Sequence, residues 1–277
     1  MMVLIKGAGD LATGIAHRLK VCGFDVVMTE ISMPTTVRRT VAFSQAVFDG
    51  STEVEGIKSV RADNFNDVLE IIKEGNIPVV IDPEGEIIKK LKPDAVVDSI
   101  IGKRNMGTAI DDAPIVIAVG PGFKAGHDCH CVVESKRGHY LGRTIYEGEA
   151  IPNTGVPGNI GGYTVERIIR SSADGVIRPL VKIGDYVEKG QVVAYVAESM
   201  SEEGTVQDKS RYVYAEIPGT VRGMLQEGVK VHKGMKSGDI DPRCEKKHCF
   251  TISDKARSIG GGVLEALLTL NKQLQNK

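Results

Sequence analysis

The sequence predicts an α/β protein in which a mostly parallel sheet covered by helices is followed by an all-β module and a C-terminal helix. Three observations predict it. Short, nearly continuous apolar runs alternate with helix-like stretches up to about residue 120. A stretch of 18 columns beginning at Asp174 returns without a gap 44 residues later, at Pro218. Apolar residues spaced by three or four then recur from about Asp254 to the end.

The runs "MVLIKGAG", "FDVVMTE", "IPVVID", "DAVVDSII" and "APIVIAVG" are β-branched and almost unbroken, as strands buried on both faces are. Helices are predicted between them over Leu11 to Val21, about Val37 to Phe48, Asn64 to Lys73 and Gly85 to Leu91. That rhythm gives a parallel sheet with helices on both faces.

Gly7-Ala8-Gly9-Asp10-Leu11-Ala12 fits G-x-G-x-x-G/A between a predicted strand and a predicted helix, the context the pattern requires. Gly7 would make the tight turn, Gly9 would admit a pyrophosphate, and Ala12 would let the helix pack on the strand. Unpaired N–H groups at a helix start attract an anion. Glu30, at the end of the second run, is placed to hold a ribose diol. The expectation is a Rossmann-like domain that binds NAD or another small nucleotide. Asp10 sets a negative charge beside that ligand, and its other reading is a helix cap.

Loops after parallel strands face one edge of the sheet, where sites form. "DSIIGKRNMGT" offers Asp98, Lys103, Arg104, Asn105 and Thr108; "GPGFKAGHDCH" offers Gly120, Gly122, His127, Asp128 and His130; "NTGVPGNIGGYT" offers Asn153 and Thr154. Lys103, Asn105, Gly120 and Gly122 join Gly7, Gly9, Asp10, Ala12 and Glu30 as cofactor-binding candidates.

In "GHDCHCVVE" a strand would put Asp128, His130 and Glu134 on one face and Cys129 and Cys131 on the other. Cys244, His248 and Cys249 form a second group, and the spacings match no standard zinc pattern. No metal is assigned, and the cysteines read as small buried residues. Asp128, His130 and Glu134 are the catalytic candidates, suited to acid–base work.

The two copies of the repeat share Gly175/Gly219, Arg178/Arg222, Gly184/Gly228, Val187/Val231, Lys189/Lys233 and Gly190/Gly234. This resembles the two halves of a biotinyl/lipoyl-type barrel sandwich. In such carriers a lysine in the hairpin between the halves bears the prosthetic group. Ser201 stands at that place here, so no biotin or lipoate is expected. Asp239 and Asp241 suit a hard cation or a turn before Pro242. Gly260, Gly261 and Gly262 inside the last helix imply close packing, a ligand or a later helix start.

The domains expected are 1–170 (Rossmann-like), 171–243 (barrel sandwich, unmodified) and 244–277 (helical). Lys plus Arg number 35 and Asp plus Glu 36, with no dense basic stretch, which argues against nucleic acid as partner. No apolar run approaches the roughly 18 residues a membrane span needs, and no signal-peptide pattern opens the chain. Five cysteines make no disulfide framework, so a cytoplasmic location is expected.

"GAGDLATGIAHRL", "VGPGFKAGHDCHCVVESKRGHYLGRTIYEG", "NTGVPGNIGGYTVERI", "GDIDPR" and "ISDKARSIGGGVLEAL" together resemble the YqeB-type accessory proteins associated with selenium-dependent molybdenum hydroxylases, relatives of xanthine and purine dehydrogenases. The resemblance implies a maturation or accessory role with a hydroxylase as client protein. It also implies an Asp, a His and a Glu that match Asp128, His130 and Glu134. Two other readings stand beside it: an NAD-dependent oxidoreductase in which Asp128 or His130 handles the proton, and a non-catalytic docking module. The sequence leaves open whether the chain is an enzyme and whether it is a homo-oligomer.

Overall fold

A computed structural model describes residues 1–153, 155, 158–200 and 208–276. Thr154 and Ser201, named above, lie outside the described residues. The chain divides into two compact units, one made of Met1–Ser32, Ala42–Thr154 and Ile252–Lys277, the other of Met33–Val41 and Gly155–Thr251.

The first unit contains β1 (Met2–Lys6), α1 (Asp10–Val21), β2 (Asp25–Glu30), α2 (Ala46–Asp49), β3 (Ser51–Val54), β4 (Ile57–Ala62), α3 (Phe65–Lys73), β5 (Ile77–Ile81), α4 (Ile87–Leu91), β6 (Ala95–Asp98), β7 (Ile115–Val119), β8 (Lys124–Ala125), β9 (Cys131–Val133), β10 (Thr144–Ile145), β11 (Gly148–Glu149) and α5 (Asp254–Gln275). Its main sheet has nine strands in the order β10-β9-β7-β6-β1-β2-β5-β4-β3. From β9 to β4 all pairings are parallel, and both edges are antiparallel. Leu4, Ile5, Val27, Val96, Val116 and Ile117 have at most 1% of their surface exposed. Each such side chain contributes roughly 1.5–3 kcal/mol of burial free energy.

The expected mostly parallel, Rossmann-like sheet is therefore corrected to a large mixed one. Part of the reason lies at Glu55 and Gly56, whose φ angles of 47° and 82° turn the chain back into the β3–β4 hairpin. Two positive φ values in a two-residue loop suit the twist of the flanking strands. Upstream, the helix expected over residues 37–48 is broken into short 3-10 turns at Arg39–Val41 and Phe43–Gln45 and the single turn of α2.

Gly14 and Gly260 are explained by packing. A Cβ on Gly14 of α1 would stand 2.6 Å from the Ala256 Cβ, and one on Gly260 2.9 Å from the Gly14 carbonyl. Ser253 caps α5 by accepting the Ala256 N–H at 3.2 Å. No helix among the described residues is long and apolar enough to cross a membrane.

The second unit contains β12 (Ile168–Arg170), β13 (Gly175–Pro179), β14 (Tyr186–Val187), β15 (Val192–Ala197), β16 (Tyr212–Tyr214), β17 (Gly219–Met224), β18 (Lys230–Val231) and β19 (Lys236–Asp241). They form two four-stranded antiparallel sheets, β12-β19-β17-β14 and β16-β15-β13-β18. The expectation of one biotinyl/lipoyl-type barrel sandwich is corrected to this pair of sheets. Each copy of the repeat, with the long strand that follows it, gives two long strands to one sheet and its short strand to the other, and β12 and β16 add an edge to each.

Candidate functional site

The carboxyl ends of β1, β2 and β6 lie side by side, because β1 pairs with β2 on one flank and β6 on the other. Chain order reverses there, the place where open α/β sheets leave a crevice. In this protein its own chain fills much of that place. The Gly7 N–H donates to the Thr29 carbonyl at 3.0 Å. The Ala8 N–H donates to Glu30 Oε2 at 3.0 Å, and Glu30 Oε1 accepts the Ile31 N–H at 2.9 Å. The Ala8 carbonyl accepts the Ser44 N–H at 2.8 Å.

Gly7 has φ +92°, and a Cβ there would lie 3.0 Å from the Ser99 carbonyl oxygen and 3.2 Å from Ile100. The glycine is required by the approach of the 99–100 backbone. Gly122 is alike: a Cβ would meet the Arg104 Cα at 2.6 Å. At Gly120 the neighbour is the Ser135 hydroxyl, also at 2.6 Å. Ala12 is buried in α1, and Gly9 is its N-cap with no side-chain bond, so Asp10 is the first helical residue, where a carboxylate complements the helix dipole. Lys103 is exposed. Asn105 shapes its own loop, accepting the Gly107 and Thr108 N–H groups at 2.9 and 2.8 Å and donating to the Thr108 carbonyl at 2.8 Å.

Under that loop runs a buried polar chain. Lys6 Nζ donates to Thr108 Oγ1 at 2.7 Å, and Thr108 Oγ1 donates to Asp98 Oδ2 at 2.7 Å. The three residues are 4%, 3% and 1% exposed. Asp112 adds a carboxylate 3.9 Å from Lys6 Nζ. Burial pushes the Asp98 carboxyl above its usual range, against the Thr108 and Ile100 hydrogen bonds and the Lys6 charge. Burial likewise raises Glu30, against the Ile31 and Ala8 amides. Lys255 of α5 is pushed down by burial and supported by the charges of Asp10 and Glu134. Ile101 and Lys103, in the loop above, hold φ values of 60° and 62°. A β-branched residue in that region is strained, and such strain collects at functional sites.

The three catalytic candidates are not brought together. Cys131 of β9 pairs beside Ile117 of β7, so His130 precedes the strand and Glu134 follows it, at opposite edges of the sheet. His130 Nδ1 accepts the Val116 N–H at 3.0 Å, which puts a ring proton, if neutral, on Nε2. Asp128 accepts the Lys124 N–H at 2.8 Å and faces His127 at 3.0 Å. Glu134 is 2% exposed and accepts the Lys136 and Ile151 N–H groups at 2.6 and 2.8 Å. Burial drives the Cys129 thiol up to about 12 and the Cys131 thiol up to about 11.

Lys6, Asp112 and Lys255 escape a reading of the sequence. The one available signal is Lys6, a charge that ends an apolar strand directly before a glycine turn.

No protein-family model matches the chain. Among solved structures it is similar to an aspartoacylase family protein from Mesorhizobium loti, at 12% identity over 87% of this chain and 84% of that one, with a TM-score of 0.26. It is similar to the ectoine utilization protein EutE (DoeB) from Ruegeria pomeroyi, at 9% identity over 86% and 84%, TM-score 0.27. A succinylglutamate desuccinylase/aspartoacylase from Rhodobacter sphaeroides shares 12% identity over 86% and 84%, TM-score 0.29. Scores this low assign no activity to the chain. None of these proteins is named as a nucleotide-binding maturation factor with selenium or molybdenum-hydroxylase duties. In the glycine loop the Gly7 and Ala8 N–H groups are paired with Thr29 and Glu30, and the expected maturation role is corrected to a function these comparisons do not assign.

The chain is 49% identical over 272 residues to the uncharacterized protein YqeB of Escherichia coli (strain K12), covering 98% of this chain and 48% of that protein. It spans about half the length of the curated relative it matches.

Proposed function

We propose that the first unit is an acid–base enzyme acting on a small polar substrate at the carboxyl edge of the parallel strands. The observation that carries this reading is the Lys6–Thr108–Asp98 chain, two 2.7 Å hydrogen bonds joining β1, β6 and the loop between β6 and β7. Asp98 is poised to take a proton, because burial disfavours its charged form. The Thr108 hydroxyl proton passes to Asp98 while Thr108 takes one from the Lys6 ammonium. In the proposed step the Lys6 Nζ is the atom that exchanges a proton with the substrate, through Thr108, with Asp98 as the final acceptor. Because Lys6 is 4% exposed, the proposal requires the 99–108 loop to move aside for substrate.

A small aldehyde with cyanoborohydride at neutral pH tests the reading, with the modified lysines located by mass spectrometry. Lys6 is expected to be alkylated ahead of the surface lysines, and Asp98→Asn to slow that alkylation while sparing the surface sites. If Lys6 stays unmodified while surface lysines react, and Lys6→Met changes only the melting temperature, the chain of residues is a structural clasp and the reading fails.

A further inference from the structure

Arg178 and Arg222 occupy the same column of the repeat. The backbone around them is matched bond for bond. Gly184 donates to the Val221 carbonyl and Val221 to that of Asp185, both at 2.8 Å. In the other copy Gly228 donates to Ile177 at 3.1 Å and Ile177 to Val229 at 3.0 Å. Within this frame Arg178 donates from its two terminal nitrogens to Glu227 at 2.9 Å and to the Met200 carbonyl at 2.6 Å. The column that holds Glu227 in one copy holds Ile183 in the other. Arg222 has therefore lost the carboxylate its counterpart uses.

The carboxylates nearest to it, Asp241 and Asp239, are each committed to another arginine. Among the described residues Arg222 makes no side-chain hydrogen bond, its Nε is buried, and its side chain is 10% exposed. Asp241 lies 3.9 Å away but is gripped by Arg243 through two bonds of 2.9 and 2.6 Å. Asp239 is held by Arg167 at 2.6 Å. Arg38 and Arg243 add positive charge around Arg222, and Arg38 donates to the His248 and Thr251 carbonyls at 3.0 and 3.2 Å. A guanidinium withdrawn from water with a carboxylate near it but no hydrogen-bond acceptor is unfavourable. Its planar fork fits a carboxylate or phosphoryl group through two parallel bonds.

We propose that Arg222, flanked by Arg38 and Arg243, is the centre of an oxyanion-binding site in the second unit, taking the phosphoryl or carboxylate group of a small molecule. The site is independent of the Lys6 chain, and neither reading falls with the other.

Calorimetric titration of the full chain with inorganic phosphate and, separately, with acetate at constant ionic strength tests it. Saturable binding of one of them is expected, the preferred anion separating phosphoryl from carboxylate recognition. Arg222→Gln is expected to weaken it by about tenfold or more, the loss of charge-assisted hydrogen bonds. Ile183→Glu, which restores in the chain the carboxylate of the other copy, is expected to abolish binding and raise the melting temperature. Arg178→Gln, whose arginine is already paired, is expected to leave the affinity within about twofold, as for a site that shares no partner. The proposal is overturned if neither anion binds saturably up to the order of 10 mM, a negligible affinity. It is equally overturned if binding survives both Arg222→Gln and Ile183→Glu.

Discussion

Gly262 of α5 lies against Gly142 backbone to backbone: a Cβ at position 262 would stand 2.1 Å from the Gly142 carbonyl oxygen and 2.9 Å from Val133 Cγ1. Its neighbour Gly261 has nothing within 4 Å of the same point. The two positions make opposite predictions. Gly262→Ala is expected to lose about 1–3 kcal/mol by overpacking. Gly261→Ala is expected to gain roughly 1 kcal/mol from helix propensity alone. Urea unfolding of the two variants checks both, and a loss in each would mean that α5 is not packed as described.

Asp98 predicts a pH dependence of fixed sign. Folding raises its carboxyl above the unfolded value, so its contribution is fully present below about pH 4 and is lost as pH rises through the folded value. Thermal melts of the wild type and Asp98→Asn from acid to neutral pH should show the gap between them shift in the variant's favour as pH rises. Glu55 has the reverse sign. Burial acts to raise it, but the Ile252 amide and Arg257 outweigh that and hold it low. Its contribution is present above the unfolded value and lost as pH falls through the lower folded one.

The thiols sort by burial. Cys22 and Cys244 are exposed, while Cys129, Cys131 and Cys249 are buried, and burial raises all three of the latter. Iodoacetamide at mildly alkaline pH should modify Cys22 and Cys244 in the native protein and reach the others only in denaturant. Rapid native labelling of Cys129 or Cys131 would contradict the packing of β9.

Arg167 and Asp239 form a buried ion pair at 2.6 Å, with side chains 9% and 6% exposed. Asp239→Asn leaves the guanidinium without its counter-charge and should destabilise the protein by about 3–5 kcal/mol. Replacing both partners with apolar residues of similar size should destabilise it less than the single change does. Chemical denaturation of the three variants gives the comparison.

How far the sequence speaks can be judged residue by residue. The apolar runs give β1, β2, β5, β6 and β7, since central parallel strands have no wet face to interrupt them. The β3–β4 hairpin is hidden, because the Glu55-Gly56 turn lacks the usual Asn-Gly or Asp-Gly signature and Thr52, Glu53, Lys58 and Arg61 dilute its pattern. Gly7 is legible as a turn, but its neighbour is not. A glycine needed only for a turn and one that must also admit the Ser99 backbone read the same in one dimension. The Lys6–Thr108–Asp98 chain is equally silent, because its parts are joined by strand order and not by spacing. The aligned repeat, by contrast, carries its meaning in the exception: Ile183 opposite Glu227 marks where a charge went unanswered.

The first unit is assembled from three separated lengths of chain, and the last of them supplies α5, whose 22 residues include Ala256 and Gly260 against Gly14 of α1. A ribosome releases its product in one direction. The surface of α1 around Gly14 therefore waits bare until α5, far downstream in the chain, has been made. A transcript cut short or a stall before that point leaves a nascent chain with its first helix uncovered, open to proteases and to unwanted self-association.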